Sequence, residues 1–282
     1  MPVSRESPST IRSQRMVRLL QLVAERGDVQ LRELADELHA SAATIRRDVG
    51  ALADQGLLIR THGGASALRS GGELPVNLRG GRNQQAKRAI ARAAVEQVPQ
   101  GKHALAMTGG TTTTEVLRAL DRRHDLTIVT NSVGLAIEAA AHGQNRVLIA
   151  GGILRATSLE LVGSLTESTF RQINVGTAIV GCDGVSVQGG LTTHDDVEAG
   201  TNHTMIERAQ QVICVADGSK IGVVTLARLA ELSDVDMLIT DSSADPAELA
   251  RIRAAGVRVV VVETDTSQET QNGRPGKHPD RP

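Results

Sequence analysis

The sequence predicts a mixed α/β protein with two domains, a small N-terminal helix-turn-helix module and a larger C-terminal domain built on a mostly parallel sheet. Two short amphipathic helices joined by a two-residue turn predict the first domain. Seven apolar runs that alternate with amphipathic segments predict the second, because strands joined through helices usually pair in parallel. A length of 282 residues exceeds that of a typical single domain, which favours this division.

The N-terminal module is predicted to span 11–67 and to begin with a helix over 11–26 that ends at Gly27 and Asp28. Two further helices follow, separated only by His39 and Ala40. Residues 1–10 are rich in Ser and Pro and are expected to be disordered. The apolar positions of the three helices are Met16, Leu19, Leu20 and Val23, then Leu31, Leu34, Ala35 and Leu38, and then Ile45, Val49 and Leu52.

The free face of the third helix is suited to double-stranded DNA. In a helix-turn-helix the second helix of the motif enters the major groove with its N-terminal end first, and arginines suit guanine edges and phosphates. An ordinary helical hairpin with solvated arginines explains the pattern alone equally well. The residues expected to face DNA are Ser41, Ala42, Ala43, Thr44, Arg46 and Arg47.

A short apolar run from Leu57 to Ile59, closed by Gly63 and Gly64, predicts a strand and turn beside these helices, and therefore a winged helix. Arg60 and His62 on this wing are further candidate DNA contacts. Arg60 also begins a stretch, ending at Arg92, in which seven basic residues accompany one acid. Such a stretch either neutralises phosphates or is a solvated linker. Its basic residues are Arg60, Arg69, Arg79, Arg82, Lys87, Arg88 and Arg92.

A Gly- and Arg-rich segment over 68–85 is predicted to be the linker, 86–263 the second domain, and 264–282 a disordered polar tail. Ligands of parallel α/β sheets bind beyond the carboxyl ends of the strands. The strands are predicted at Ala104–Met107, Leu126–Val129, Val147–Ala150, Thr177–Val180, Gln211–Ala216, Met237–Thr240 and Val257–Val262.

Small, polar and charged residues follow five consecutive predicted strands, which indicates a shared pocket. Glycine followed by threonines at a helix start offers N–H groups, hydroxyls and the positive helix dipole to a phosphate. Taken alone, the same loop is better explained as a Thr-rich cap over a tight turn. The residues expected to bind a ligand are Gly110, Thr111, Thr112, Thr113, Asn131, Ser132, Gly152, Arg155, Asp183, Glu198 and Lys220.

The charged members of this set have alternative interpretations. Lys220 is one of four lysines beside 27 arginines, and its compact ammonium suits a phosphate, although a surface lysine is the alternative. Asp183, Asp195, Asp196 and Glu198 are suited to accept hydrogen bonds from sugar hydroxyls. They are equally suited to cap the helix predicted to begin near Asp196.

The composition narrows the function further. No apolar stretch is long enough to span a membrane and no signal-peptide core is present, so a cytoplasmic protein without a membrane partner is expected. Cys182 and Cys214 are embedded in apolar residues and are expected to be buried thiols, with no metal or cofactor predicted. Phe170 is the one aromatic residue, which argues against binding of single-stranded nucleic acid by base stacking.

The stretch LADELHASAATIRRDVGALADQGLLIRTHGGA resembles the DNA-binding signature of the DeoR family of bacterial transcriptional regulators. The segments GTTT at 110–113, VTNS at 129–132, GGLTT at 189–193, ADGSK at 216–220 and LITD at 238–241 resemble the family's sensor domain. This resemblance, over about 11–262, implies a C-terminal fold like ribose-5-phosphate isomerase and coenzyme A transferases, and a phosphorylated sugar as effector. Thr108 and Val180 depart from the family's usual Asp and aromatic residue.

Two functions follow from these observations. The favoured one is a DNA-binding regulator, expected to repress a sugar-catabolism operon as a dimer or tetramer and to respond to a phosphorylated sugar rather than to act as an enzyme. The alternative is a phosphosugar isomerase with an accessory DNA-binding module. Isomerisation requires a base and a partner acid, and no second carboxylate accompanies Asp183 in its own loop.

Overall fold

The computed structural model describes residues 8–54, 57–66, 73–76, 79, 82–141 and 145–264. The chain divides into two compact units, Met1–Arg79 and Gly80–Pro282. The predicted fold class is confirmed, because a winged helix-turn-helix forms the first unit and a parallel sheet flanked by helices forms the second. None of the described helices combines the length and the apolar character needed to cross a bilayer.

Three helices and a three-stranded antiparallel sheet, in the order β1-β3-β2, form the N-terminal unit. The helix α1 begins at Pro8 rather than at Ile11, and β1 was not predicted. A Cβ at Gly64 would overlap the carbonyl oxygen of Val29, so glycine permits β3 to approach β1. The elements are α1 (Pro8–Arg26), β1 (Asp28–Gln30), α2 (Leu31–Glu37), α3 (Ala42–Asp54), β2 (Ile59–Thr61) and β3 (Gly64–Ser66).

A seven-stranded sheet forms the centre of the C-terminal unit, in the order β15-β14-β12-β9-β4-β5-β6. Every neighbouring pair is parallel. These are the seven predicted strands, displaced by at most two residues at either end. They are β4 (His103–Met107), β5 (Leu126–Thr130), β6 (Arg146–Ile149), β9 (Val175–Val180), β12 (Ala209–Val215), β14 (Met237–Asp241) and β15 (Arg258–Val262).

Helices cover both faces of this sheet, so apolar side chains are needed on both. In β4, Leu105 and Met107 pack into one core and Ala106 into the other. This explains why the strands are continuous apolar runs rather than alternating ones. The helices are α4 (Gln84–Val95), α5 (Thr111–Ala119), α6 (Val133–Ala141), α7 (Ser164–Arg171), α8 (Asp196–Ile206) and α9 (Pro246–Ala254).

Five short strands outside the central sheet were not predicted. The hairpin of β7 (Ile153–Arg155) and β8 (Glu160–Val162) lies against the loops that follow β4 and β5. Its backbone bonds join Leu161 N to Asn131 O at 2.8 Å and Val133 N to Leu159 O at 3.0 Å. The others, β10 (Gly184–Ser186), β11 (Gly190–Thr193) and β13 (Ala227–Ala230), form a small antiparallel sheet.

Candidate functional site

The helix α3 separates an apolar face from a polar one, as predicted. Ile45, Val49 and Leu52 are buried in the N-terminal core. The Ser41 hydroxyl accepts a hydrogen bond from Thr44 N at 3.2 Å and therefore caps the helix. Thr44 is half-buried, and the other candidate DNA contacts on α3 and on the wing are exposed. These are Ser41, Ala42, Ala43, Arg46, Arg47, Arg60 and His62.

A buried carboxylate that sequence reasoning missed holds α3 in place. Asp48, which is 2% exposed, accepts from Arg15 Nε at 2.7 Å and lies 3.4 Å from Arg12 Nε. Both arginines belong to α1. Because Asp48 directly follows two exposed arginines in the sequence, its inward orientation has a signal only in the helical period.

The basic stretch from 60 to 92 contains a buried cation and an ion-paired one. Lys87 is 3% exposed within α4, so the expectation that it neutralises phosphates is wrong. Arg79 forms an ion pair with Glu73 at 2.7 Å. Arg69 and much of the predicted linker lie outside the described residues. A count of charges along the sequence does not distinguish the buried ammonium of Lys87 from the exposed guanidinium groups of the arginines around it.

The carboxyl edge of the central sheet holds a connected series of charged and polar side chains. Lys220 Nζ lies 3.2 Å from Asp183 Oδ1. The Thr193 hydroxyl bridges two carboxylates, at 3.3 Å from Asp183 Oδ2 and 2.9 Å from Glu198 Oε1. Lys220 and Asp183 follow neighbouring strands, β12 and β9, and Glu198 is in the first turn of α8. The structure therefore brings these three predicted site residues together.

Arg155 of β7 extends the same series. Its guanidinium lies 3.1 Å from Glu198 Oε2 and 3.0 Å from Asp195 Oδ2. Asp195 also accepts from Glu198 N at 2.9 Å, and thus caps α8. The capping alternative is confirmed for Asp195, while Asp196 is exposed in the first turn. Both predicted site cations, Arg155 and Lys220, are consequently paired with carboxylates of the chain itself.

A fully buried carboxyl group at Glu160 lies at the centre of this edge. It accepts hydrogen bonds from Gly109 N and from Asn202 Nδ2, the latter at 3.0 Å. Burial, and next the nearby charge of Glu198, raise the pKa of Glu160 to about 8, against the opposing effect of these donors. Glu160 therefore holds its proton in most molecules at neutral pH.

Asn131 joins Glu160 to the end of β5. Its side-chain nitrogen donates to Asn202 Oδ1 at 3.0 Å and to Leu161 O at 3.2 Å. Its side-chain oxygen is fully enclosed and has no hydrogen-bond partner among the described residues. Exchanging the amide atoms would place an oxygen against Leu161 O and Asn202 Oδ1, so the assigned orientation is the favourable one. A buried acceptor without a donor is costly, and a donor would reach this oxygen only if the surrounding side chains moved.

The loop between β4 and α5 presents the threonines. Thr113 and Thr114 donate back to Gly110 O at 2.9 and 2.7 Å. The hydroxyls of Thr111 and Thr112 have no hydrogen-bond partner in the described part of the chain, and no side chain caps the first amides of α5. Gly110 has φ of +126°, a conformation that favours glycine. This helix start therefore retains unused donors.

The remaining predicted residues have structural contacts. The Ser132 hydroxyl accepts from Leu135 N at 3.3 Å, so it caps α6. A Cβ at Gly152 would overlap the Thr166 hydroxyl, so glycine is needed for packing there. Thr108, where the family resemblance implies Asp, is buried and accepts from Gly181 N at 3.0 Å. Thr108 thus links the loops that follow β4 and β9. Val180, the second departure, is buried in the core.

Three site residues were missed by sequence reasoning: Glu160, Asn202 and Thr193. Glu160 is the only acid in the apolar run Leu159–Val162, and an isolated acid in such a run is the signal that was available. Asn202 and Thr193 had no comparable signal. The two thiols lie at the same edge, with Cys214 buried, Cys182 half-buried, and their sulfur atoms 3.7 Å apart. The contact with Cys182, and next burial, raise the pKa of Cys214.

Comparison with known proteins identifies two domains. The DeoR-like helix-turn-helix domain matches residues 15–70, and the DeoR C terminal sensor domain matches residues 82–242. The HTH-type transcriptional regulator GlpR of Haloferax volcanii is 38% identical over 249 residues, covering 88% of this chain and 97% of that protein.

The glycerol-3-phosphate regulon repressor of Escherichia coli (strain K12) is 34% identical over 230 residues, covering 82% of this chain and 91% of the repressor. Among solved structures, ribose 5-phosphate isomerase A from Methanocaldococcus jannaschii is 16% identical, with a TM-score of 0.36, covering 49% of this chain and 55% of the isomerase.

Proposed function

The chain belongs to the DeoR family of transcriptional regulators. From that membership we propose that it represses a sugar-catabolism operon. We further propose that a phosphorylated sugar changes its affinity for the operator. As a member of this family it is a DNA-binding regulator. The residues proposed to contact the operator are those exposed on α3 and the wing, with Arg46 and Arg47 reading base edges or phosphates.

One observation carries the effector proposal: hydrogen-bond donors and acceptors that suit the two ends of a sugar phosphate adjoin one another at the carboxyl edge. The start of α5 offers amides and the hydroxyls of Thr111 and Thr112, which suit a phosphate. Asp183 and Glu198 offer carboxylate acceptors, which suit sugar hydroxyls. Gly109, whose amide bonds Glu160, lies next to the start of α5 and connects the two sets.

These contacts support a phosphate site at α5 rather than at Lys220, and we propose the phosphate there. Each site cation is already neutralised, Lys220 by Asp183 and Arg155 by Asp195 and Glu198. A proton on Glu160 lowers the negative charge that an incoming phosphate meets. The effector acts only if it binds the DNA-competent and DNA-incompetent states with different affinities, since equal affinity would shift nothing.

An isomerase is the second candidate, because the structure removes one argument against it. Although no second carboxylate lies in the Asp183 loop, Glu198 shares the Thr193 hydroxyl with Asp183. These two carboxyl groups are suited to be the base and the partner acid that aldose–ketose exchange requires. The relatives, by contrast, are regulators, and both carboxylates are engaged by cations.

The test uses the full chain and an operator duplex selected from a random pool. Fluorescence anisotropy of the labelled duplex is measured with a panel of three- to six-carbon sugar phosphates, the matching free sugars, and inorganic phosphate. We expect one sugar phosphate to change the operator affinity at least about tenfold, which is roughly 1.4 kcal/mol of coupling, while the free sugars and phosphate do not. Steady conversion of any compound into an isomer would instead support the enzyme.

A further inference from the structure

Four exposed aliphatic side chains lie close together along the chain at the β6 edge of the central sheet. They are Ile149 at the end of β6, Ile153 and Leu154 on β7, and Leu165 in the first turn of α7, with exposed fractions of 44, 73, 51 and 68%. We name these four residues the edge patch. Large aliphatic groups exposed together are unusual on a monomer and mark interaction surfaces.

Backbone contacts hold the parts of the edge patch together. The Thr166 hydroxyl donates to Gly151 O at 2.8 Å, which fixes the start of α7 beside the turn between β6 and β7. A Cβ at Gly152 would overlap that hydroxyl and lie 2.9 Å from Val162 O, so no side chain separates the turn from α7 and β8. Leu165, next to Thr166, is consequently held near the Ile149 to Ile153 turn.

The backbone beside the edge patch is also unpaired on one side. β6 is the last strand of the sheet, and no described strand pairs with its outer edge. Proteins usually protect such edges with charges or proline. Here two of the nearby charges point elsewhere, because Arg155 is engaged by Asp195 and Glu198, and Glu160 is buried. Arg146, at the start of β6, is the charged residue of that strand.

We propose that a second copy of this chain covers the edge patch, with β6 pairing antiparallel to β6 of the copy about a two-fold axis. An apolar patch with little charge is complementary to itself, as a two-fold interface requires. Antiparallel pairing of identical edge strands satisfies the open backbone groups of both copies at once. A helix-turn-helix reads paired half-sites and so needs a second copy, whereas the patch offers no cationic cluster for a nucleic acid or an anionic lipid.

The first experiment compares Ile153→Glu with Leu226→Glu in the full chain by sedimentation velocity, without effector or DNA. Leu226 is the matched control because it is 82% exposed and adjoins β13 of the small sheet rather than the β6 edge. We expect the wild type and Leu226→Glu to sediment as the same oligomer and Ile153→Glu to sediment as a smaller species. Circular dichroism checks that both variants remain folded.

The second experiment introduces no charge into the proposed interface. Leu154→Cys and its wild-type control are treated with a short bis-maleimide, and covalent dimers are counted on denaturing gels. We expect dimer from Leu154→Cys at low protein concentration and little from the wild type, whose Cys182 is half-buried and Cys214 buried. An Ile153→Glu oligomer of unchanged size, or Leu154→Cys that stays monomeric on the gel, would overturn the proposal. Neither readout involves a sugar phosphate, so failure of the effector proposal leaves this test unaffected.

Discussion

Lys220 Nζ lies 3.2 Å from Asp183 Oδ1, so the ammonium that the sequence assigned to a phosphate is paired with a buried carboxylate of its own chain. Asp183 is 6% exposed, and its second oxygen accepts from Thr193. The pair joins the loops that follow two neighbouring strands, β9 and β12. Its first role is therefore to hold the carboxyl edge in shape.

Replacing Lys220 with Met is expected to destabilise the C-terminal unit, because it leaves the Asp183 charge buried without its cation. We expect a loss of roughly 1–3 kcal/mol in the free energy of unfolding. The double variant with Asp183→Asn should recover part of this loss, because it removes the stranded charge. Urea unfolding followed by circular dichroism measures both, since the chain has no Trp or Tyr. Lys102→Met, at an exposed lysine, is the control; equal stability of the two single variants would contradict the prediction.

Glu160 should make stability depend on pH in an unusual direction. Its pKa is raised from 4.5 to about 8 by burial and by Glu198, so between these values the folded chain retains a proton that the unfolded chain has lost. The contribution of Glu160 to the free energy of unfolding therefore falls as pH rises from 4.5 to about 8. Glu160→Gln cannot ionise and should lack this fall.

The measurement is the stability of wild type minus that of Glu160→Gln across this pH range. We expect the difference to fall by about 2–4 kcal/mol from the acidic to the basic end. Glu167→Gln, in α7 at a residue paired with Arg171 at 2.8 Å, is the control for loss of a carboxylate. A difference that stays constant with pH, or rises, would show that Glu160 is ionised throughout.

Arg46→Ala should weaken operator binding. If the guanidinium bonds a guanine, the loss is roughly 1–3 kcal/mol and falls on particular operator sequences; if it contacts only phosphate, the loss is smaller and the salt slope decreases. Anisotropy titrations at several salt concentrations separate these cases. Arg253→Ala, at an exposed arginine of α9, should bind as the wild type does. Wild-type affinity in the Arg46 variant would remove it from the proposed interface.

Thr112→Val should reduce the response to the effector while leaving operator affinity intact. The change keeps the side chain's shape but removes a hydroxyl that has no partner in the described part of the chain, so little stability should be lost. We expect the concentration of sugar phosphate giving half the response to rise about tenfold, the equivalent of about one hydrogen bond to a charged group. Thr114→Val, whose hydroxyl bonds Gly110 O, is the matched control. An unchanged response in Thr112→Val would place the phosphate elsewhere.

The elements that were predicted are those whose burial leaves a visible pattern of apolar residues in the sequence. The seven strands are continuous apolar runs because both faces of the sheet are covered. The paired short helices have apolar residues at the helical period because one face of each helix is buried. β7 and β8 have three residues each, too few for a period to be visible. The proposed location of the site at the carboxyl edge follows from parallel strand pairing, which the alternation of strands and helices predicts.

The contacts within the site were not predictable in the same way. Glu160 bonds residues 51 positions before it and 42 positions after it, and no local pattern joins such distant positions. Lys220 and Arg155 were each predicted to bind a ligand. Their carboxylate partners come from other loops, so the sequence did not indicate that these cations are already paired. Lys87 was counted with exposed charges because charge alone carries no information about burial.

The hairpin strand Ile153–Arg155 lies between the proposed effector site and the edge patch. Ile153 and Leu154 are exposed, while Arg155 is paired with Asp195 and Glu198 at the site proposed to bind the effector. A single peptide bond thus joins Leu154 of the edge patch to Arg155 of the proposed effector site. If both proposals hold, an effector that displaces the Arg155 guanidinium acts one residue away from Leu154 of the edge patch, so the route between the two does not pass through the core.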